Sequence, residues 1–222
     1  MKKSNNNKLK LNVFYILSIL LIISGIVIGL VYYPVMPEKM ITHWNSNNVP
    51  NGYSSKLVGL FLSPMISIVI LVLFLYLPKL DPLKVNYSKF KNYYDGFILM
   101  VLFFMFYINV LSIIYNLGYL FNFGTYMVLG LFMLFYYCGI LIQKAPQNWF
   151  VGIRTPWTLS NKENWIKTHQ FGSILFKISS IIMLLGLFFE KYMMYFVLIP
   201  IFLSVIIICI YSYRLSKTSC KN

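Results

Sequence analysis

Six long apolar runs constrain this chain more than any other feature of its sequence. They cover residues 11–33, 57–77, 97–117, 119–143, 173–189 and 192–213. A helix needs about 20 apolar residues to cross roughly 30 Å of hydrocarbon. Helices are expected rather than barrel strands, because lipid offers no partner to unpaired backbone groups and the runs do not alternate. The sequence therefore predicts an all-α, polytopic integral membrane bundle of six transmembrane helices in the cell membrane.

The overall composition agrees with a membrane location. The chain is 59% hydrophobic and only 11% charged, which lies outside the range of ordinary soluble domains. The first run follows four lysines, as in a secretory signal, but it is long and ends in Val-Tyr-Tyr-Pro instead of a small-residue cleavage site. We therefore expect a retained anchor.

The positions of the basic residues predict the orientation. Bases cluster in both tails and in the second and fourth connections, whereas the other side holds only Lys39, Lys56 and Lys191. Since bases that flank short loops stay in the cytoplasm, we expect both termini inside. The net charge of +14 then favours anionic lipid head groups, and its division among short segments argues against direct nucleic-acid binding.

This topology divides the chain into five segments. They are a basic cytoplasmic tail at 1–10, a first helical hairpin at 11–78 with an outer loop at 34–56, spans three and four at 79–143, a cytoplasmic loop at 144–172 with the last helical hairpin up to 213, and a basic cytoplasmic tail at 214–222. The two long loops carry most of the polar sequence between the spans.

The outer loop contains the stretch PEKMITHW, which begins at Pro37. Proline suits the first position of a helix, and Met40 and Trp44 would share an apolar face, so we expect a two-turn helix lying on the membrane. Trp44 is then typical of an interface anchor. His43 has no second ligand at helical spacing, which favours hydrogen bonding over a metal site.

The inner loop contains NWFVGIRTPWTLSNKENW, which begins at Asn148. The planar guanidinium of Arg154 suits backbone carbonyls, a carboxylate or a lipid phosphate, and the sequence leaves open whether it ties the loop together or binds a partner. Further on, Ser160 and Glu163 fit a capping box. We expect a short helix from there to about residue 171, with Gly172 as its stop.

The spans themselves offer few groups for chemistry. Apart from Lys177, no acidic or basic residue lies within them, whereas ion-coupled transporters usually need such groups at depth. Asn109, Ser112 and Asn116 form one polar stripe, which favours bonds between helices over a pore. No HExxH or GxSxG motif is present and the three cysteines form no CxxC pair, so we rank a small transporter or channel second and a membrane enzyme third.

Together, the two loops resemble those of a known family. The stretch PEKMITHWN, followed by Gly52 and Lys56, resembles the DUF1648 segment, and NWFVGIRTPWTLSNKENW with His169 resembles the signature of the SdpI family of membrane proteins. The resemblance implies immunity and signal transduction without catalysis or a cofactor. The partners that it implies are the lipid bilayer, a secreted toxin peptide outside and a helix-turn-helix repressor inside; it does not specify an oligomeric state.

The resemblance also implies positions that bind a ligand or partner, and they lie in both loops. They are Pro37, His43 and Trp44 in the outer loop, and Asn148, Gly152, Arg154, Pro156, Trp157, Trp165 and His169 in the inner loop. We expect the outer set to meet the secreted peptide and the inner set to meet the repressor.

Overall fold

The computed structural model describes residues 13–219, and within them six helices are long and apolar enough to cross a membrane. The helices in chain order are α1 (Val13–Tyr32), α2 (Lys56–Leu80), α3 (Lys91–Asn116), α4 (Phe123–Lys144), the short α5 (Pro156–Ser160), α6 (Lys162–Leu185) and α7 (Met193–Ser219). The predicted six-helix membrane bundle is confirmed. The tail expected at 1–10 and the last three residues of the tail expected at 214–222 lie outside the described residues.

The bundle consists of two groups of three long helices. Helices α1, α2 and α3 pack on one another, α6 packs on both α4 and α7, and α3 joins the groups by packing on α4. Small residues allow the close approach of α1 and α2: a Cβ on Gly25 would lie 3.2 Å from Pro64 Cγ, and one on Gly29 would lie 2.8 Å from Phe61 Cε1. Such glycine faces are typical of helix packing in lipid.

The outer loop forms a β-hairpin, so the helix predicted from Pro37 to Trp44 is wrong. Strand β1 (Lys39–Trp44) pairs antiparallel with β2 (Pro50–Ser55). The side chain of Asn116 on α3 fixes β1 from outside: Ile41 N–H donates to Asn116 Oδ1 at 2.7 Å, and Asn116 Nδ2 donates to Ile41 O at 3.0 Å. These long-range bonds favour a strand over the local helical pattern.

The helix after the inner loop also differs from its prediction. Helix α6 continues through Gly172, where a Cβ would lie 2.5 Å from Ile153 Cδ1; the glycine serves packing and does not end the helix. The N-cap is Asn161, whose Oδ1 accepts from Asn164 N–H at 2.9 Å, and not Ser160. Asparagine and serine cap helices about equally well, so sequence preference alone does not choose between neighbours.

The third span begins earlier than predicted and includes an acid. Helix α3 starts at Lys91 instead of residue 97, and Asp95 on its first turns is 1% exposed. Its carboxylate accepts from Tyr15 OH at 2.8 Å and pairs with Lys91 Nζ. Asp95 thus lies on the helix but before the apolar run predicted at 97–117, and it is paired close to the helix end.

Candidate functional site

The predicted site residues lie at two opposite ends of the bundle. The hairpin, residues 39–55, contacts the start of α4, where Gly124 N–H donates to Asn48 Oδ1 at 2.7 Å. The signature segment, residues 145–161, follows the end of α4. This helix has 22 residues, and at 1.5 Å per residue it separates the two ends by about 33 Å. His43 and His169 therefore cannot share one ligand.

Asn148 organises the first turn of the signature segment. Its side chain is fully buried. Oδ1 accepts from the N–H groups of Phe150 and Val151 at 3.0 and 2.6 Å, and Nδ2 donates to the carbonyls of Pro146 and Val151, both at 2.9 Å. Two donors and two acceptor positions are the whole capacity of an amide. Asn148 therefore shapes the turn and has nothing left to offer a partner.

Asp81, at the end of α2, holds the signature segment from the other helix group. It is 2% exposed, its Oδ1 accepts from Leu83 N–H at 2.7 Å, and its Oδ2 accepts from Trp149 N–H at 2.8 Å. A buried carboxylate needs such partners. Sequence reasoning missed Asp81. The chain has only five acidic residues, and this scarcity was the signal that could have pointed to it.

Gly152 and His169 fit closely together. Gly152 has φ +118°, and a Cβ there would lie 2.3 Å from His169 Nε2. Ile153 N–H donates to the same Nε2 at 2.9 Å, so this nitrogen carries no proton, and Nδ1 donates to Trp165 O at 2.8 Å. The imidazole is therefore neutral and fully used. The ring of Trp165 stacks on it at 3.9 Å, and Trp165 Nε1 donates to Ala145 O at 2.9 Å.

The short helix α5 docks the signature segment on α7. Pro156 starts the helix, and Thr155 caps it with a reciprocal capping box to Thr158. Thr155 Oγ1 lies 2.7 Å from Ser212 Oγ on α7, and the ring of Trp157 packs 5.1 Å from that of Tyr213. The capping box predicted at Ser160 thus exists five residues earlier, where the proline sets the helix start.

A second contact between α6 and α7 was also missed from the sequence. Asn164 Nδ2 donates to Ser212 O at 2.8 Å, and Thr168 Oγ1 donates to Asn164 Oδ1 at 2.9 Å. All three side chains are buried. The spacing of single Ser, Thr and Asn residues in a sequence does not show whether their side chains are buried or exposed. This network could therefore be identified only from the fold.

Arg154 and Pro156 are the exposed members of the signature set, and Arg154 is the charged one. Its Nη1 donates to Trp149 O at 2.7 Å, which supports the alternative that it ties the loop together. Burial raises the pKa of the nearby Tyr87 hydroxyl, the Asp81 carboxylate raises it further, and the charge of Arg154 opposes both. The indole of Trp149 is 50% exposed, so the two side chains still present a basic and aromatic surface.

At the other end, the hairpin packs into the bundle instead of lying on the membrane. Trp44 stacks face to face on Phe123 with ring centroids 3.8 Å apart, and it meets Tyr115 edge-on at 5.2 Å. His43 Nδ1 lies 2.6 Å from Asn51 Oδ1 on β2. Pro37 is exposed just before β1. The expected role of Trp44 as an anchor on a surface helix is therefore wrong.

A cavity of about 490 Å³ lies beneath the hairpin, between the two helix groups. His43 and Trp44 form part of its wall, and residues of α2, α3, α4 and α7 form the rest. The polar stripe of α3 is divided between two tasks, because Asn116 holds β1 whereas Asn109 and Ser112 line the cavity. Asn116 therefore bonds the hairpin, and not a neighbouring helix as predicted for the stripe.

Comparisons with known proteins give matches at both ends of the bundle. The SdpI/YfhL protein family matches residues 144–212, and a domain of unknown function, DUF1648, matches residues 20–68. The Immunity protein SdpI of Bacillus subtilis (strain 168) is 27% identical over 203 residues, which cover 91% of this chain and 95% of that protein. The chain is thus similar at both ends to SdpI-family membrane proteins.

The resemblance predicted from the two loops is thereby confirmed. The SdpI match contains the whole signature segment, α6 and most of α7, and the DUF1648 match contains the whole hairpin. No solved structure matches this chain significantly.

Proposed function

We propose that this protein is a non-enzymatic immunity protein that protects its cell against a secreted antimicrobial peptide. The observation that carries the proposal is the end-to-end likeness to the Immunity protein SdpI of Bacillus subtilis, which covers 91% of this chain. The aligned region includes both the hairpin and the signature segment. The likeness therefore concerns the whole architecture and not one common membrane hairpin.

We further propose that the hairpin end faces outward, where a secreted peptide arrives. Among the described residues, the hairpin end has three bases, Lys39, Lys56 and Lys191. The signature end has more: Lys79, Lys84, Lys89, Lys91, Lys144, Arg154, Lys162, Lys167, Arg214 and Lys217. At the hairpin end, Lys56 Nζ is paired with Glu38 Oε1 at 2.8 Å. Such asymmetry is the usual signal for the cytoplasmic face.

The immunity proposal is tested by deleting the gene in its own cell. Mutant cells and cells complemented from a plasmid are exposed to concentrated medium from the parent strain, and survival is counted. We expect the mutant to be killed and the complemented strain to survive as the parent does. Equal survival of mutant and parent, in medium that kills an unrelated sensitive strain, would overturn the proposal.

The signature end is proposed to carry a signal by holding a helix-turn-helix repressor. Trp149 and Arg154 support this role, because exposed tryptophan and arginine are the residue types that dominate protein interfaces. They are also held rigidly, since Asp81 accepts from Trp149 N–H and Arg154 donates to Trp149 O. Preorganised side chains lose less entropy when they bind.

This second role has its own experiment. Fluorescently labelled repressor is followed in cells that carry the parent protein, Trp149→Ala or Arg154→Ala, at matched protein levels, with Ile166→Ala as an exposed control on α6. We expect repressor at the membrane with the parent and the control, and several-fold less with the two variants. Equal recruitment by all four proteins contradicts this role of the segment.

A further inference from the structure

A groove of about 460 Å³ lies on the surface of the bundle between α1 and α3, and we call it the α1–α3 groove. One face of α1 forms one wall, from Phe14 to Ser24, and one face of α3 forms the other, from Gly96 to Phe103. The walls are almost entirely apolar. Leu20 is 51% exposed and Phe103 is 39% exposed, so the groove is open toward the lipid.

The length of the groove matches one leaflet of the membrane. Helices α1 and α3 both begin at the signature end, where Lys91 Nζ donates to Tyr15 OH at 3.1 Å and Asn86 Nδ2 donates to Gln147 O at 2.8 Å. The α1 wall, residues 14–24, extends from there for about 15 Å, which is half of roughly 30 Å of hydrocarbon. A helix of that length is about 10 Å across and fills roughly 1,200 Å³, so it would enter the groove only in part. A single acyl chain fits the length and the width.

Tyr137 of α4 forms the mouth of the groove at the signature end. Its side chain lies across α3, because Gly96 leaves the space free: a Cβ on this glycine would overlap Tyr137 Oη. The Tyr137 hydroxyl donates to Tyr93 O at 3.2 Å. On the other side of the mouth, the same Cβ would lie 3.7 Å from Phe14 Cε1. Three helices therefore meet where the groove reaches the membrane surface.

Two bases lie next to this mouth. Lys144 follows Tyr137 by seven residues, which places it on the same face of α4, and its Nζ lies 5.7 Å from the centre of the Tyr93 ring. Lys144 forms no ion pair with an acid of residues 13–219. Lys91 Nζ is bonded to Asp95 and to a tyrosine hydroxyl of α1, which leaves one of its three N–H donors. The mouth therefore has positive charge to offer a ligand.

This charge decides which lipid the groove prefers. An acyl chain that leaves the bilayer for the groove exchanges one apolar environment for another, so it gains packing but little hydrophobic energy. The preference among lipids must then come from the head group. Basic pockets between membrane helices are typical sites for anionic head groups. A zwitterionic head group adds a cation, which the two lysines repel.

We propose that the α1–α3 groove binds one acyl chain of an anionic phospholipid from the leaflet at the signature end, with the lipid phosphate at Lys144 and at the remaining donor of Lys91. The proposal does not depend on the immunity function. It also differs from a general attraction of a basic protein to anionic lipid, because it assigns one lipid to one place.

The head-group preference is tested with the purified, delipidated full chain in detergent. Native mass spectrometry counts the lipids bound as dioleoyl phosphatidylglycerol or dioleoyl phosphatidylcholine is added. We expect the first phosphatidylglycerol to bind at a several-fold lower concentration than the first phosphatidylcholine. Lys144→Gln should raise the half-saturating concentration of phosphatidylglycerol about five-fold, as expected for the loss of one base near a membrane surface. Lys162→Gln, which removes an exposed base at the start of α6, should leave it unchanged.

A matched pair of variants on α1 tests the groove itself. Leu20→Trp fills the groove, whereas Ile23→Trp adds the same side chain outside its lining. The two parent residues are 51% and 50% exposed, so neither change should disturb the core, and thermal unfolding without lipid should be the same for both. We expect Leu20→Trp to weaken the binding of the first phosphatidylglycerol several-fold and Ile23→Trp to bind it as the parent does.

Several outcomes would overturn the lipid site. They are equal binding of the two lipids, equal effects of Lys144→Gln and Lys162→Gln, and unchanged binding of phosphatidylglycerol by a folded Leu20→Trp variant. Dimers of the parent chain that Leu20→Trp dissociates without loss of phosphatidylglycerol would assign the groove to a second copy instead. Because Lys144 is exposed, its variant decides the proposal even if Leu20→Trp is unstable.

Discussion

At the scale of single residues, the signature segment is held by side chains that satisfy one another. The four bonds of Asn148 and the two bonds of His169 leave neither side chain a free donor or acceptor. These motif residues therefore shape the segment. The basic and aromatic groups on its surface belong to Arg154 and Trp149. The motif could be recognised from the sequence, but this division of roles could not, because it depends on which atoms the fold has already paired.

The glycine of the signature tests this view of the segment. Gly152→Ala should destabilise the protein by more than about 1 kcal/mol, because the residue has a positive φ and the added Cβ would meet His169 Nε2. Gly118→Ala is the matched control: its φ is +99°, with no described atom within 4 Å of the added Cβ. Thermal unfolding in detergent should show a clearly larger loss for Gly152→Ala, and equal losses would mean that the contact with His169 is unimportant.

At the scale of elements, apolar length predicted the six helices, but short polar segments depended on distant partners. The stretch around Ile41 has a helical pattern, and it forms a strand because Asn116, 75 residues away, bonds both of its backbone groups. Likewise, Gly172 is a plausible helix stop by composition, but the helix continues because Ile153 packs against that glycine. Local preferences of a few tenths of a kcal/mol per residue cannot compete with such contacts.

The hairpin should loosen when its outside anchor is removed. Asn116→Leu frees the N–H and C=O of Ile41, at a cost of about 1–3 kcal/mol for the unpaired groups. Hydrogen–deuterium exchange of the peptide that contains β1 should become faster, while exchange in the signature segment stays the same. Ser112→Ala, one turn away, removes a hydroxyl without touching the hairpin, and should leave both unchanged. Unchanged exchange of β1 in Asn116→Leu would show that other contacts suffice to hold the hairpin.

At the scale of the whole molecule, the two ends lie about 33 Å apart along α4, so the two proposed partners never compete for one surface.

The orientation of the two ends in the membrane can be tested by a labelling experiment. Single cysteines replace the exposed residues Asn47 and Lys162 in a background without native cysteines. An impermeant thiol reagent on intact cells should label position 47 only, and both positions after the membrane is opened. Labelling of position 162 alone in intact cells would reverse the proposed orientation.

The central claim, that the hairpin end protects and the signature end signals, is tested most directly by survival. Cells carrying Ser112→Leu, which fills the cavity beneath the hairpin, are compared with Arg154→Ala cells in medium from the parent strain, at matched membrane levels of protein. The account predicts that Ser112→Leu cells die as the deletion mutant does, whereas Arg154→Ala cells survive as the parent does. Survival of Ser112→Leu cells, or equal killing of both variants, would contradict the division of labour between the two ends.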